Sequence, residues 1–457
     1  MTTHPPTPSP RKGVTPVQPL RGFRAESAMF RCLIAGLLGL VAIAAQAGPK
    51  IEHWTAPSGA RVFFIESRVV PIVDVQLDFA AGGAYAAEGK AGVAGLTRSL
   101  MGMGAGELDE EQIAERLADT GAMMGGGADQ DRASISLRSL SAPREREAAL
   151  ELLRLVLQQP SFSAAVLDRE KARTVAGIRE ADTRPGSIAA KRFAAALYPG
   201  HPYGRVPTAE SVEKVSRDDL LAFYRSNYGA KRAVVSIIGD VSRAEAEALA
   251  QRLTAGLPQA PEKVSLPEAA LPAKNTVRVD HPAQQAHIHV GLPALRRGDP
   301  DTIPLLVGNY VLGGGGFVSR LMKEVRERRG YAYSVYSYFQ PQRERGPFQI
   351  GLQTKREQAQ AALKVVEEVL AEFLAGGPSE AELKAAKRNL ADGFPLRIDS
   401  NRKLLEYLSV IGFYDLPLTY LDDFPRKVEA VTAADIRAAF QKHVKTDHMI
   451  TVIVGGE

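Results

Sequence analysis

A pattern that occurs twice constrains the fold of this chain most. Asp219 opens an amphipathic segment that leads into a run of apolar, mostly β-branched residues ending at Gly239. The same order recurs from Asp435 to Gly455, and in both cases the glycine follows the aspartate by 20 positions. A helix and a buried strand repeated at one internal spacing indicate duplication of a folding unit, which similar composition alone would not.

The duplication predicts two copies of one α+β unit. We place the first copy at residues 48–255 and the second at 275–457, joined by an extended linker, residues 256–274, that contains four prolines. Each copy is predicted to combine strands with a long helical section, near 144–195 and 357–412, and a closing strand. The expected architecture is therefore two homologous α/β-sandwich halves, each with a mainly antiparallel sheet and packed helices.

The leader, residues 1–47, is predicted to direct export. Its first part contains six prolines and no apolar periodicity, which favours disorder or a working start at Met29. From there a basic residue, an apolar run at 33–45 and an Ala-Gln-Ala sequence before Gly48 predict a signal peptide at 29–47. Thirteen apolar residues are too few to span a bilayer comfortably. We therefore expect a periplasmic or secreted protein with no stable membrane anchor after cleavage.

Charge and cysteine content exclude several classes of function. Residues 48–457 carry 52 basic and 51 acidic side chains, so nothing in their charge indicates nucleic-acid binding. Cys32, the only cysteine, lies in the leader. The mature chain would therefore have no disulfide, no thiolate nucleophile and no cysteine metal ligand.

The segment 312–339 in the second copy predicts a loop, a helix and a strand. Four consecutive glycines, residues 313–316, are not followed by the Gly-Lys-Ser/Thr of a phosphate loop, and we predict a flexible loop that lets the backbone approach a neighbour or substrate. Gly330 is predicted to end the helix in the left-handed conformation. Packing positions of the helix recur at helical spacing, at Val318, Leu321, Met322 and Val325. Alternation along the strand would place on one face Tyr331, Tyr333 and Val335, and on the other Ala332, Ser334 and Tyr336.

Two residues of this segment can act on a carbonyl oxygen without being nucleophiles. Arg326 offers forked, permanently charged donors, and Tyr333 offers a hydroxyl donor on a rigid ring. If the turn at Gly330 folds the strand back past the helix, both could stabilise one oxyanion. The alternative is that Arg326 belongs to a solvated face and Tyr333 to the core.

The run from Arg326 to Tyr333 resembles the Arg/Tyr signature in the second half of the pitrilysin/insulinase family of metallopeptidases, which includes the mitochondrial processing peptidase. In that family the pair holds the scissile peptide against a zinc ion bound by the other half. The resemblance covers nearly the whole mature chain and implies that the two halves form a clamshell.

The same resemblance locates a degenerate zinc site in the first copy. The family motif, H-x-x-E-H on a helix, aligns with residues 95–99, where Gly95 and Ser99 replace the two histidines and Arg98 replaces the glutamate. The third ligand, a glutamate, maps near Ala176 or Gly177. Glycine cannot ligate zinc, serine is a poor ligand, and arginine places a positive charge where the cation would sit. The resemblance thus implies no metal on this chain and no activity by the chain alone.

Two histidines of the second copy have a spacing that can serve metal binding. His287 and His289 are two positions apart on a predicted strand and would share one face. No third ligand follows at a suitable spacing, so the sequence does not favour a metal site there.

These observations favour a non-catalytic, substrate-binding subunit of a heteromeric zinc metallopeptidase. In this hypothesis a homologous H-x-x-E-H-bearing subunit carries the zinc, and Arg326 and Tyr333 hold a peptide or unfolded segment for cleavage. Strand pairing of that peptide near residues 125–127 is a weaker expectation from the same resemblance. The alternative is a zinc-less peptide-binding or structural assembly subunit with no role in proteolysis.

Overall fold

The computed structural model describes residues 49–260 and 265–455. The predicted signal peptide lies outside these residues. None of the helices in the described part of the chain is both long enough and apolar enough to cross a membrane.

The first half contains a six-stranded sheet with the order β1-β2-β8-β3-β7-β6. Only β2 and β8 run parallel, and β6 forms one edge. Two short strands, β4 and β5, form a separate pair. The strands are β1 (Glu52–Thr55), β2 (Arg61–Glu66), β3 (Ile72–Phe79), β4 (Gly104–Ala105), β5 (Leu108–Asp109), β6 (Met123–Gly125), β7 (Ala133–Leu140) and β8 (Val234–Gly239). The α-helices are α1 (Val93–Met101), α2 (Glu110–Thr120), α3 (Pro143–Gln158), α4 (Ala164–Ala181), α5 (Pro185–Leu197), α6 (Ala209–Glu213), α7 (Arg217–Asn227) and α8 (Arg243–Thr254).

The second half contains a five-stranded sheet with the order β11-β12-β10-β13-β9, in which only β13 and β9 run parallel. β11 is an edge strand. The strands are β9 (Asn275–Val279), β10 (Gln285–Leu295), β11 (Ala332–Phe339), β12 (Gly346–Lys355) and β13 (Ile450–Val454). The α-helices are α9 (Thr302–Asn309), α10 (Ala359–Gly376), α11 (Glu380–Asp392), α12 (Asn401–Phe413), α13 (Tyr420–Ala430) and α14 (Ala433–His443).

The repeated pattern of the sequence corresponds to equivalent elements in the two halves. α7 leads to β8 and α14 leads to β13, and each of these strands is internal to its sheet. The two aspartates that mark the repeat occupy the same position of a capping box, in which Asp219 pairs with Ser216 and Asp435 pairs with Thr432. Each box satisfies main-chain N–H groups that a helix start would otherwise leave unpaired. The predicted α+β fold of two similar halves is confirmed.

The two halves exchange a helix. α5, from the first half, packs on β10 and β13 of the second sheet, where the ring of Phe193 lies 5.5 Å from that of His289. α12, from the second half, packs on β2, β3 and β8 of the first sheet. Close approach requires Gly412, because a Cβ there would lie 2.6 Å from the Val234 side chain and 2.7 Å from that of Phe63. Neither sheet therefore buries both of its faces without the other half.

Each exchanged helix is fixed at its end by a tyrosine. The Tyr198 hydroxyl, just beyond α5, donates to the Arg345 carbonyl in the hairpin between β11 and β12, at 2.8 Å. The Tyr414 hydroxyl, just beyond α12, donates to Asp131 between β6 and β7, also at 2.8 Å. The sequence predicted both helical sections but not their exchange, since amphipathic spacing shows that one face is buried and not which sheet covers it.

Candidate functional site

The segment that precedes β11 is not a regular helix. Two π-helical turns, Tyr310–Gly314 and Met322–Glu327, flank a 3-10 turn at Gly316–Val318. The wider turns are closed by main-chain bonds five residues apart, including the bond from the Arg328 N–H to the Lys323 carbonyl, at 2.9 Å. π-Helical turns are rare in proteins, and those that occur are often found at functional sites. Gly330 ends the segment with a φ of 65°, as predicted.

Three of the four consecutive glycines lie in packed turns. A Cβ on Gly313 would lie 2.6 Å from the Ser337 nitrogen, and one on Gly314 would lie 2.6 Å from the Asn309 amide nitrogen. A Cβ on Gly315 would lie 2.6 Å from the Tyr310 carbonyl oxygen. Gly316 differs, because it has a φ of 61° and open space around it. The predicted flexible loop is thus corrected: Gly313 lets the backbone approach the edge strand β11, and Gly314 and Gly315 let it pack on the preceding turn at Asn309 and Tyr310.

Arg326 and Tyr333 lie side by side. The guanidinium carbon of Arg326 is 4.6 Å from the centre of the Tyr333 ring, and the ring of Phe317 lies 4.8 Å from the same carbon. The guanidinium therefore contacts two aromatic rings, an arrangement that favours the cation electrostatically. The sequence paired Arg326 with Tyr333 but missed Phe317. The available signal was a large aromatic residue directly after four glycines.

Arg326 also differs from the neighbouring arginines in its charge partners. Three of them form ion pairs, namely Arg320 with Glu382 at 2.7 Å, Arg328 with Glu324 at 2.7 Å and Arg329 with Glu324 at 2.8 Å. The Arg326 guanidinium makes no ion pair or hydrogen bond with any residue that the structure describes. Its N–H donors therefore remain available to a ligand.

The aromatic residues around Arg326 are exposed to an unusual degree. Tyr333 is 83% exposed and Phe317 is 63% exposed. A register shift between Ala332 and Val335 explains the exposure of Tyr333, since the bulge turns both intervening residues outward. The predicted alternation of faces is therefore wrong at this point. Val318, predicted to pack, is 56% exposed because it lies in the 3-10 turn and not on a continuous helix.

In the first half, the positions that align with zinc ligands lack ligating groups. Gly95 and Ser99 lie on the exposed side of α1, and Gly177 lies on the exposed side of α4, which packs against α1. Apart from its own helix, no described atom lies within 4 Å of the position that a Cβ would take on Gly95 or Gly177. The site is thus an open surface where the family has side chains that bind metal.

Arg98 has a structural role at this surface. Its guanidinium donates hydrogen bonds to the main-chain carbonyls of Ser134 and Gly125, which belong to the β6–β7 hairpin. Burial lowers the pKa of Arg98, opposed by the nearby Tyr228. The side chain that stands in the position of the family's catalytic glutamate therefore links α1 to the edge strand β6.

The other groups with potential metal ligands have evident structural partners. Gln349 donates to His289 Nδ1 at 2.7 Å, and burial lowers the pKa of His289 to about 4, with a smaller effect of His287. His289 therefore belongs to the packing under α5. The described residues bring together one further set, Asp299, Asp301 and His443, in which Asp301 already accepts from Lys442 at 2.6 Å and faces His443 Nε2 at 2.8 Å.

Two protein-family models match the chain. The profile described as "Insulinase (Peptidase family M16)" matches residues 61–208, and the profile described as "Peptidase M16 inactive domain" matches residues 214–390. The two matches cover the degenerate zinc positions and the Arg326 segment respectively.

Individual relatives extend the similarity over most of the chain. A Helicobacter pylori protein named "Non-peptidase homolog YmxG" is 24% identical over 438 residues, 94% of this chain and 99% of that protein. A Mycobacterium bovis protein named an uncharacterized zinc protease is 30% identical over 298 residues, 64% of this chain and 67% of that protein. The crystal structure of a "peptidase M16 inactive domain" from Pseudomonas fluorescens is similar with a TM-score of 0.86 at 39% identity, covering 89% of this chain and 98% of that one. The chain therefore belongs to the insulinase family, peptidase family M16, and is a non-catalytic member of it.

Proposed function

We propose that this chain is the substrate-holding subunit of a heteromeric zinc metallopeptidase that cleaves peptides or unfolded segments. The observation that carries the proposal is the contrast between the two halves. Arg326 keeps free donors between two exposed aromatic rings, whereas the zinc positions of the first half hold Gly95, Arg98 and Ser99. A group that stabilises charge on a substrate is useful without its own metal only if the metal is supplied by another chain.

The chemistry assigned to this chain is binding and charge stabilisation. The partner's zinc would act as the Lewis acid and activate water. Arg326 would donate from the edge of its guanidinium to the carbonyl oxygen of the substrate, where negative charge develops during cleavage. Tyr333, with its hydroxyl in solvent, would donate to the same peptide backbone.

The first half would contribute a surface for the substrate backbone. β6 is an edge strand, so one side of its main chain does not pair within the sheet. Arg98 holds this strand to α1 through the Gly125 carbonyl. An extended peptide would bind there by adding a strand, and its side chains would extend to alternate sides.

A second candidate is a peptide-binding or assembly subunit with no role in proteolysis. The exposed rings of Phe317 and Tyr333, both beside Arg326, favour it, since exposed apolar groups also mark protein interfaces. The two candidates differ in whether Arg326 affects turnover by a partner or only the stability of an assembly.

The predicted signal peptide favours a complex outside the cytoplasm. We propose export to the periplasm or the medium with cleavage before Gly48. Mass spectrometry of the exported protein tests this directly, since a mature N-terminus elsewhere would contradict it.

The experiment that tests the proposed function is a tagged pull-down from the exported fraction of the native host. Co-purifying proteins are identified, and zinc and peptidase activity are measured on the eluate. We expect a protein of similar size with an intact H-x-x-E-H motif, together with zinc and activity. Recovery of the chain alone, or of unrelated proteins without activity, would contradict the shared-site proposal and favour the assembly subunit.

A further inference from the structure

The position of Phe317 assigns it a role in the Arg326 site. Phe317 follows Gly316, the one glycine of the run that has open space around its Cβ position, and it lies in the 3-10 turn Gly316–Val318. Its ring is largely exposed, yet it lies 4.8 Å from the guanidinium carbon of Arg326. The turn thus carries an aromatic ring out of the packed part of the segment and places it against a cation.

Two rings on one guanidinium restrict how a ligand can approach it. The Arg326 guanidinium carbon lies 4.8 Å from the centre of the Phe317 ring and 4.6 Å from that of the Tyr333 ring, so the two rings occupy part of the space around the guanidinium while its N–H donors remain for a ligand. An arginine side chain with no acidic partner would otherwise sample several rotamers in water, and that freedom is lost when a ligand binds. Stacking restricts it beforehand, which is preorganisation of the site.

We propose that Phe317 is a positioning residue that holds the Arg326 edge toward an oxygen acceptor of the bound peptide. The inference rests on the proposed function, because it concerns the same site. The acceptor is a planar carbonyl or carboxylate group that approaches in the plane of the guanidinium. Tyr333, the other ring beside the guanidinium, has its own hydroxyl to donate, whereas Phe317 has none and acts only through Arg326.

The test compares three substitutions in the mature full-length chain. Phe317→Leu keeps an apolar side chain but removes the aromatic ring, and Phe317→Trp keeps a ring that stacks on cations. Val318→Ala is the matched control, because Val318 is also exposed and lies in the same turn. Thermal melts followed by circular dichroism establish that all three fold.

Two readouts separate the position of Arg326 from its function. The first is the rate at which phenylglyoxal modifies Arg326, followed by peptide mass spectrometry, which depends on the stacking and not on any ligand. The second is the affinity for fluorescein-labelled β-casein, an unfolded polypeptide, measured by fluorescence anisotropy. Phe317→Leu should raise the modification rate severalfold and weaken binding about fivefold, the factor expected for loss of one exposed cation–π contact. Phe317→Trp should restore both values, and Val318→Ala should change neither.

The remaining outcomes distinguish the inference from the proposed function. If Arg326→Ala weakens binding while Phe317→Leu leaves both readouts at the wild-type values, the positioning role is wrong and the proposed function stands. If Arg326→Ala itself leaves binding unchanged, both the proposed function and the role of Phe317 within it are overturned.

Discussion

Arg98 in the first half and Arg326 in the second half are both arginines, but their surroundings give them different roles. The Arg98 guanidinium is occupied by two main-chain carbonyls, those of Ser134 and Gly125, and is largely removed from water. The Arg326 guanidinium lies between exposed rings with no acidic partner in the described residues. A free donor edge, and not the charge alone, therefore distinguishes a binding arginine from a structural one.

The two halves also differ in the backbone and surface around these arginines. In the first half the ligand positions are open surface and an arginine stabilises the hairpin beside them. In the second half the Arg326 segment has close backbone packing at three glycines and irregular helical turns of a kind found frequently at functional sites. In the proposed function the partner supplies the metal, and Arg326 of this chain acts on the substrate.

The largest expected effect is on turnover by the assembled complex. Arg326→Ala removes a donor to the developing charge and should lower turnover about a hundredfold or more. Arg328→Ala is the control, because Arg328 is exposed and already paired with Glu324. Steady-state kinetics on a quenched fluorescent peptide measure both. Equal losses in the two variants would mean that general charge, and not the stacked site, carries the effect.

A smaller effect concerns a paired arginine of the same segment, Arg320. The Arg320 guanidinium lowers the pKa of Glu382 to about 2, so this pair stabilises the fold fully above the unfolded pKa near 4.5 and loses that stabilisation as pH falls toward 2. Because both side chains are partly exposed, we expect the pair to contribute about 2 kcal/mol to the free energy of unfolding at neutral pH. This is less than the value that the whole pKa shift would imply. Urea unfolding of Glu382→Gln should show this deficit at pH 7, and the deficit should shrink between pH 4.5 and pH 2. A deficit independent of pH would contradict the ionic origin.

The smallest expected effect concerns the hairpin that Arg98 holds. Arg98→Ala leaves two carbonyls without their hydrogen-bond partner. This should lower the free energy of local opening by about 1 kcal/mol, which corresponds to roughly five- to tenfold faster exchange. Hydrogen–deuterium exchange of β6 and the turn that follows it should accelerate by this factor, and Arg326→Ala should leave the same amides unchanged. Unaltered exchange in Arg98→Ala would show that Arg98 is as free as Arg326.

The fold could be predicted from the sequence because the patterns that indicate it are local and occur twice. The capping aspartates, Asp219 and Asp435, and the apolar strands that follow them each depend on near neighbours in the chain. The exchange of α5 and α12 depends on contacts between residues far apart in the chain, such as Phe193 with His289 and Gly412 with Val234, about which periodicity carries no information.

The candidate site was predicted in part for the same reason. The residue types of Arg326 and Tyr333 and the resemblance to the family identified this pair, and the same resemblance located the substitutions at Gly95, Arg98 and Ser99. Phe317 could not be assigned, because its contact depends on an irregular 3-10 turn between two π-helical turns. The exposure of Tyr333 depends on a bulge in β11, and a single extra residue reverses the alternation from which faces are predicted.

Zinc content tests the central claim most directly, because the claim is that this chain contributes donors but no metal to a shared site. The purified mature chain and its complex with the H-x-x-E-H-bearing partner would be analysed for zinc by mass spectrometry, alongside peptide cleavage. We predict no stoichiometric zinc and no cleavage for the chain alone, one zinc per complex, and cleavage that is lost in Arg326→Ala while the zinc is retained. One tightly held zinc on the isolated chain, or cleavage by the complex that is indifferent to Arg326, would contradict it.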